Sequence, residues 1–492
     1  MILTKLSAGV PGAHLRLPRP ITEIVDIDRI VYRADLAAGG SMFACLRGVH
    51  ADGHDFASQA VANGASALLV ERPLALDVAQ VHVPDARLAM ALMAATLEGE
   101  PSQALTVVGV TGTNGKTTSA FLLHAVLQAA GHRTGLLGTI EARVGGAVEV
   151  VAHTTPESVD LQRLLARMRD AGDTACVMEV SSHALAQRRV AGLRFAAALF
   201  TNLTRDHLDY HADVEEYYLA KRALFIRPGG EGQDPPGTAN LDDVFGRRLA
   251  AQAGALGFAV EHPADVQPMA IRQSRDGFWA RVATPRGLLE IESRLRGRFN
   301  ISNVMGVVAV GELLGLDHEA VAAGIGAVAG VPGRFEPVDV GQPFEVLVDY
   351  AHTPDSLQNV LCEARKLVAD GRRLIVVFGC GGDRDRGKRP QMGAIARNLA
   401  DIAIVTSDNP RSEDPDAIID EITAGAMTGP AELIVEGDRR VAIARAAELA
   451  DAGDVLVIAG KGHEGGQERN GVISPFDDRD VAREVLGARI CG

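Results

Sequence analysis

Short runs of branched apolar residues, each followed by a polar or glycine-bearing loop and then by a stretch with helical spacing, recur along most of this chain. The run "LTVVGV" from Leu105 leads through "TGTNGKTT" into "SAFLLHAVLQAAG", which predicts a buried strand over Leu105 to Val110 and a helix closed by Gly131. Further on, "EVLVDYAH", "RLIVVFGCGG", "IAIVTSDNP" and "DVLVIAGKGHE" predict four strand-then-loop units separated by helical stretches. Alternation of this kind predicts an α/β chain with parallel sheets and crossover helices. In such sheets ligands bind at the carboxyl ends of the strands. A polar break at "EGEPSQ" (Glu98 to Gln103) and a Gly/Pro cluster at "VAGVPGRFEPV" (Val328 to Val338) divide the pattern. Three domains are expected, over 1–103, 104–333 and 334–492, because 492 residues exceed what one core serves.

Composition narrows the classes. No run of 18 apolar residues is present, so no membrane insertion is expected. The net charge is 49 − 63 = −14, with no long basic stripe, which argues against nucleic acid and anionic membrane as partners. An anionic ligand would have to be met by local cations and backbone amides. Cys45, Cys176, Cys362, Cys380 and Cys491 are scattered without metal spacing and fit reduced thiols. Lys5, Arg16 and Arg19 precede the first acid, Glu23, as in a transit peptide, but Pro11 and several glycines interrupt any helix and no secretory apolar region follows. A cytoplasmic protein is expected, and a monomer.

The strongest chemical signal is "TGTNGKTT", comprising Gly112, Thr113, Asn114, Gly115, Lys116, Thr117 and Thr118 between a strand and a helix. Gly112 and Gly115 let backbone amides turn toward an anion, and the helix start adds its positive end. Lys116 would reach the β/γ-phosphates of ATP, and the Thr117 hydroxyl would ligate Mg²⁺. Val110 stands where a full P-loop has its first glycine, so this is a shorter variant. A chance Gly-Lys-Thr at a helix start is the plainer reading, and the flanking strand and helix weigh against it.

Downstream, "HTTPES", "MEVSSHALAQRR" and "FTNLTRDHLDYH" follow or join candidate strands. Glu179 and His207 fall where side chains could converge on a metal, although a capping glutamate and a surface histidine would fit as well. Lys221 in "EEYYLAKRALF" reads first as a lysine along a helix surface.

Taken in order, "TGTNGKTT", "HTTPES", "EVSSHAL", "TNLTRDHLDYH", "AKRALF", "GRFNISN", "PGRFE", "DYAHTPDSL", "GCGGDRDRGKRP", "SDNPR" and "GKGHE" resemble the Mur ligase family of peptidoglycan precursor assembly across nearly the whole chain. The resemblance implies an N-terminal domain for a UDP-sugar, a central P-loop ATPase built on a parallel sheet and a C-terminal Rossmann-like domain for an amino acid. It marks Lys221 as a carbamylated lysine that, with Thr117, Glu179 and His207, holds Mg²⁺. It sets Asn300, Arg334 and His352 near the nucleotide, and no general base is assigned. Thr154, Thr155, Ser181, Gln187 and Arg189 match positions that hold the peptide part of UDP-N-acetylmuramoyl-L-alanyl-D-glutamate, and His50 its UDP part.

The chemistry needs these parts. A carboxylate does not acylate an amine until its oxygen is made a leaving group. Transfer of a phosphoryl group from ATP gives an acyl phosphate, which an amine then attacks. The carboxylate, the triphosphate and the phosphorylated intermediate are all anionic, so Lys116, the loop amides and Mg²⁺ must offset the repulsion. Arg189 suits the waiting carboxylate as a fixed cation.

Asp408, Asn409, Pro410 and Arg411 form the Asp-Asn-Pro-Arg motif that, in the resembled family, goes with meso-diaminopimelate rather than L-lysine. Diaminopimelate is lysine with one more carboxylate, and a guanidinium grips a carboxylate bidentately. Leaving such a group unpaired separates ligands by about 10⁴–10⁵-fold. Arg384, Gly460 and Glu464 match the remaining contacts, with Glu464 facing the distal ammonium. The expected activity is therefore ligation of meso-diaminopimelate to the D-glutamate γ-carboxylate. The alternatives are an L-lysine-adding ligase, a folylpolyglutamate synthase, or a nucleotide-gated binding protein without ligation. The chain departs from the family pattern at "IVYRADLAAGGSMF", where Val31 and Tyr32 precede Arg33 and the expected serine is missing, which leaves the uridine contacts open.

Overall fold

A computed structural model describes residues 1–18, 25–48, 51–151, 153–228 and 233–491. The chain separates into two compact units. The first comprises Met1–Thr111, Gly131–Leu199 and Leu219–Gly237; the second comprises Gly112–Ala130, Phe200–Tyr218 and Thr238–Gly492.

The first unit begins with a five-stranded sheet in the order His14–Arg16, Ala79–His82, Ala67–Val70, Ser41–Ala44, Arg29–Val31. The last four strands are parallel and His14–Arg16 runs antiparallel at the edge. Their "ALLV"-type runs are buried on both faces, as parallel strands require. On one face the alanine-rich helix Ala86–Leu97, capped by Asp85, packs Met90 and Met93 against Ile30, Met42 and Leu69. Ala57–Ala62 covers Phe43 and Leu68 on the other.

A second set of strands follows in the order Ala197–Phe200, Thr106–Thr111, Ala175–Glu179, Thr134–Leu137, Ala142–Val144, Ala147–Glu149. Ala175–Glu179 is parallel to both neighbours and sets Glu179 beside Val110. The strand expected at Leu105 to Val110 runs one residue later. The final hairpin is antiparallel and was not expected from the pattern. Its two-residue turn, Gly145 and Gly146 at φ +59° and +88°, has the left-handed pair that suits tight hairpins.

In the second unit the helix Lys116–Ala129 ends just before Gly131, as predicted. It packs against Arg298–Leu313 and His318–Ala327. The approach is close: a β-carbon at Gly324 would lie 2.4 Å from the Val126 Cα. A three-stranded antiparallel sheet, Gln267–Ser274, Gly277–Thr284 and Gly287–Ser293, has no counterpart in the sequence reading.

The C-terminal sheet orders Glu336–Pro337, Glu345–Asp349, Val455–Ala459, Leu374–Phe378, Ile402–Val405 and Glu432–Val435, all parallel except the first. Helices Pro354–Arg365, Lys388–Leu399 and Pro415–Gly425 pack on one face, and Arg439–Leu449 and Asp478–Cys491 on the other. The loops at residues 350–355, 379–388, 407–414 and 460–464 leave the carboxyl ends of the four predicted strands together. No described helix is long and apolar enough to cross a membrane. Cys45, Cys176, Cys362 and Cys380 are free.

Arg439 and Asp478 form a fully buried ion pair at 2.7 Å, and Arg439 also donates to the Ala459 carbonyl. Removing one partner strands the other charge in the interior. Asp478→Ala is expected to destabilise the C-terminal sheet by about 3–5 kcal/mol, read by denaturant unfolding. Arg439→Met combined with Asp478→Leu should recover most of that loss.

Candidate functional site

Within the first unit, Glu179 ends its strand with both carboxylate oxygens tied. Oε1 accepts from the Thr139 amide at 2.8 Å and Oε2 from the Thr139 hydroxyl at 3.1 Å. Gly138 leaves the space, since a β-carbon there would come within 2.7 Å of Glu179 Oε1. The Thr139 hydroxyl lies 3.0 Å from that of Thr154. Thr155 Oγ1 donates to the Glu179 carbonyl at 2.9 Å and accepts from the Ser181 amide at 3.1 Å. Ser181 then caps the short helix Ser182–Ala186.

Arg189 closes this cluster. It donates to the Thr155 carbonyl at 2.9 Å and to Gln187 Oε1 at 2.8 Å, and pairs with Glu157 at 3.0 Å. Thr154, Thr155, Ser181, Gln187 and Arg189 are therefore one cluster around Glu179. Thr139 was missed; the "LLGT" that carries it, a strand end followed by Gly-Thr, was the available signal. Lys221, on Val214–Arg222, is 1% exposed, so the surface reading of this lysine does not hold. The atypical Tyr32 donates to Asp160 at 2.6 Å, docking the N-terminal sheet on the helix Ser158–Asp170. His50 lies outside the described residues.

Within the second unit, the loop before Lys116–Ala129 is held from behind. Asn202 accepts from the Asn114 amide through its side chain and from the Thr113 amide through its carbonyl, both at 2.9 Å. Gly112 has φ +149°, and a β-carbon there would fall 1.9 Å from Thr201 Oγ1. Gly115, at φ +84°, faces Asn303, which donates to Asn300 at 3.0 Å. The Lys116 ammonium donates to the Gly112 and Thr113 carbonyls at 2.8 Å each, curled over its own loop. Arg334 Nη2 donates to Thr117 Oγ1 at 3.1 Å. Asp355, from "HTPDSL", accepts from Asn114 at 2.9 Å and Thr204 at 3.2 Å. Asn202, Asn303 and Asp355 lie within the motifs "TNLTRDHLDYH", "GRFNISN" and "DYAHTPDSL", but none of them was singled out as a site residue. Thr118 lies buried in the helix's first turn.

His207 has left-handed backbone, φ +55°, and sits 3.4 Å from Asp206. Burial, with Lys388 nearby, pushes His352 down to about 4. Burial also raises Asp349 to about 6, against the pull of Arg334 and of the Phe335 and Ala351 amides that it accepts. Among the described residues, no three His, Cys, Asp or Glu side chains gather as a metal cluster. The predicted metal set contains only two of those types, Glu179 and His207.

At the C-terminal sheet, the 407–411 and 460–470 segments are stitched together. Asn409 donates to Glu464 Oε2 at 2.7 Å, and the fully buried Lys461 ammonium reaches Asn409 Oδ1 at 3.0 Å and Glu464 Oε2 at 3.2 Å. Gly460, at φ +118°, must lack a β-carbon, which would sit 2.5 Å from Asp408 Oδ2. Gln467 donates to the Asp408 carbonyl at 2.6 Å. Arg411 holds φ +52°, its amide donating to the Glu468 carbonyl and its carbonyl accepting from the Asn470 amide. Its guanidinium donates to the Gly382 carbonyl at 2.6 Å and lies 3.4 Å from the Glu468 carboxylate. The neighbouring Glu413 pairs with Arg389 instead, which holds its carboxyl well below the usual range at about 2. Pro410 turns its carbonyl toward Gly382, where a β-carbon would come within 2.0 Å. Arg384 is exposed and donates to the Asp383 carbonyl, so it is not drawn into this cluster. Lys461, Gln467 and Glu468 are additional members; only Lys461 lies in a motif singled out beforehand.

Comparison with known proteins adds three matched domains. They are the Mur ligase family catalytic domain over residues 27–99, the Mur ligase middle domain over 110–311 and the Mur ligase glutamate ligase domain over 333–462. A UDP-N-acetylmuramoyl-L-alanyl-D-glutamate–2,6-diaminopimelate ligase of Solibacter usitatus (strain Ellin6076) is 45% identical over 490 residues, 98% of each chain. One of the same name from Geobacter metallireducens is 47% identical over 463 residues, 90% of each. A solved structure of such a ligase superposes with TM-score 0.68 at 32% identity, covering 100% of this chain and 99% of that one. The MurF ligase of Thermotoga maritima, in complex with ADP, shares the fold at TM-score 0.61 and 18% identity, covering 94% and 97%.

Two outcomes follow from the geometry. Gly112→Ala forces a clash with Thr201 and should weaken binding of a non-hydrolysable ATP analogue by about tenfold or more in calorimetry, a cost of at least 1.4 kcal/mol. Because Asp349 has a raised value in the folded state, its protonation adds stability as pH falls through 6 toward 4, and that stability is lost as pH rises. Relative to Asp349→Asn, the parent should therefore gain about 1 kcal/mol per pH unit between pH 6 and 5 in denaturant unfolding.

Proposed function

The chain belongs to the Mur ligase family, and from that premise we propose which of its residues carry the reaction. The protein is an ATP-dependent ligase that joins meso-2,6-diaminopimelate to the D-glutamate γ-carboxylate of UDP-N-acetylmuramoyl-L-alanyl-D-glutamate, in peptidoglycan precursor synthesis. Residues 1–103 take the UDP part, 104–333 the ATP and 334–492 the amino acid. The chain works as a monomer in a bacterial cytoplasm.

In this reading the loop amides from Gly112 to Thr118 and the Lys116 ammonium bind the triphosphate, with Lys116 leaving the Gly112 and Thr113 carbonyls to do so. Asn300 and Arg334 border the nucleotide. Thr154, Thr155, Ser181, Gln187 and Arg189 orient the acceptor peptide, and Arg189 steadies its carboxylate. Mg²⁺ supplies charge neutralisation where phosphoryl transfer develops negative charge. Thr117, Glu179, His207 and Lys221 as a carbamate would hold it. A Glu179 with both oxygens fixed by Thr139, and a lysine as buried as Lys221, fit hard-oxygen donors of that kind.

The observation that carries the choice of amino acid is the stitched pair of loops. Arg411 and Glu464, of opposite charge, are held on adjoining loops, Arg411 by the Glu468 and Asn470 backbone and Glu464 by Asn409 and Lys461. Such a pair suits a zwitterionic end, with Arg411 taking the distal carboxylate and Glu464 the distal ammonium. Gly460, Asp408 and Pro410 shape the approach, and Arg384 would have to leave the Asp383 carbonyl to contact the ligand.

Phosphate release with ATP, Mg²⁺ and the UDP-dipeptide tests the assignment. It should depend on meso-diaminopimelate and be weak with L-lysine. Arg411→Ala should lower kcat/KM for diaminopimelate by about 10³-fold while narrowing the gap to L-lysine. Equal turnover with both amino acids by the parent protein would remove Arg411 from its role.

A further inference from the structure

Four side chains of the second unit make an unbroken run from the phosphate loop to the diamino-acid reader. Arg334 donates through Nη2 to Thr117 Oγ1 at 3.1 Å. The same guanidinium lies 4.4 Å over the ring of Tyr350, within cation–π range. The Tyr350 hydroxyl donates to Glu464 Oε1 at 3.3 Å. Glu464 Oε2 takes Asn409 and Lys461. Tyr350 is further boxed in by the rings of His352 and His463, at 4.6 and 5.1 Å.

A carboxylate offers about four acceptor positions. Three of those on Glu464 are occupied, by Tyr350, Asn409 and Lys461. An incoming ammonium carries three donors and finds one open position. Asn409 and Lys461 are buried and tied to the loops, so they cannot yield. Tyr350 makes the longest of the three contacts, at 3.3 Å, and its ring is held on one face by Arg334, which is itself anchored on Thr117. Triphosphate arriving at the loop offers Arg334 a stronger anionic partner than a neutral hydroxyl. Once Arg334 turns to it, the cation leaves the ring and Tyr350 is released from Glu464.

We propose that Tyr350 is a positioning residue that keeps the Glu464 carboxylate engaged until nucleotide draws Arg334 away, so that ATP binding opens the diamino-acid site. The inference rests on the assignment of Glu464 to the ligand's ammonium. By linkage, diaminopimelate must then tighten nucleotide binding by the same factor. A run of contacts is not itself coupling, so the test has to measure coupling.

The experiment is calorimetric titration of meso-diaminopimelate into the full-length protein at saturating UDP-dipeptide, with and without a non-hydrolysable ATP analogue and Mg²⁺. The parent should bind diaminopimelate about 5- to 50-fold tighter with the analogue. Tyr350→Phe keeps the ring under Arg334 and removes only the hydroxyl. It should bind diaminopimelate without nucleotide nearly as tightly as the parent does with it, and its coupling factor should fall to within about twofold of unity. A merely structural role predicts weaker binding in both conditions, which would overturn the proposal. So would a parent that shows no coupling, or a Tyr350→Phe variant that keeps the parent's factor. If the parent binds no diaminopimelate under any condition and releases no phosphate with it, the functional assignment itself has failed, and that result is distinct from a loss of coupling alone.

Discussion

The ammonium of Lys461 has no exposed surface, and a lone charge in that position would be prohibitively costly. It is tolerated because Asn409 and Glu464 accept hydrogen bonds from it, and that requirement ties the loop after Ile402–Val405 to the loop after Val455–Ala459. The strand order makes the meeting natural. Val455–Ala459 comes last among the parallel strands in sequence but enters the sheet between Glu345–Asp349 and Leu374–Phe378, so its loop emerges among loops formed much earlier. Gly460 completes the condition, since any side chain there would strike Asp408. From this one knot follow the orientation of Glu464, the left-handed backbone of Arg411 and the engagement of Tyr350.

The same economy governs the first unit. Glu179 is held through both oxygens by a single residue, Thr139, and its backbone carbonyl anchors Thr155. Arg189 is locked by Gln187, Glu157 and a carbonyl. In the proposed roles, the metal-holding Glu179 and the carboxylate-facing Arg189 are thus aimed before a ligand arrives, which is where electrostatic catalysis gains most. In a chain with a net charge of −14, attraction of anionic substrates has to come from such local arrangements rather than from the overall field. Tyr32, which replaces an expected serine, serves docking through Asp160.

Legibility in the sequence followed the range of the interactions. The strand-loop-helix around Lys116 and the four C-terminal strands were readable because hydrophobic runs and glycine loops are local patterns. The antiparallel strands over 267–293 were not. Their charged and exposed positions, such as Arg281 opposite Glu290, lack a continuous apolar run. The hairpin at Gly145–Gly146 carried a readable turn signal, but three-residue strands are too short to register as a pattern. Lys221 shows the limit on side chains: its helix reads correctly, yet only the packing around that helix makes the lysine interior.

The sequence by itself determined the α/β class, the phosphate loop, the family and the residues Arg411 and Glu464 that suit a zwitterionic ligand, because motif chemistry is carried by neighbours in the chain. Only the tertiary structure decided that Thr139 holds Glu179, that Lys461 binds Asn409 across 52 positions, and that Tyr350 stands between Arg334 and Glu464. Those partners are brought within 3–5 Å by sheet order and loop closure, and no local pattern encodes a distance between residues that far apart along the chain.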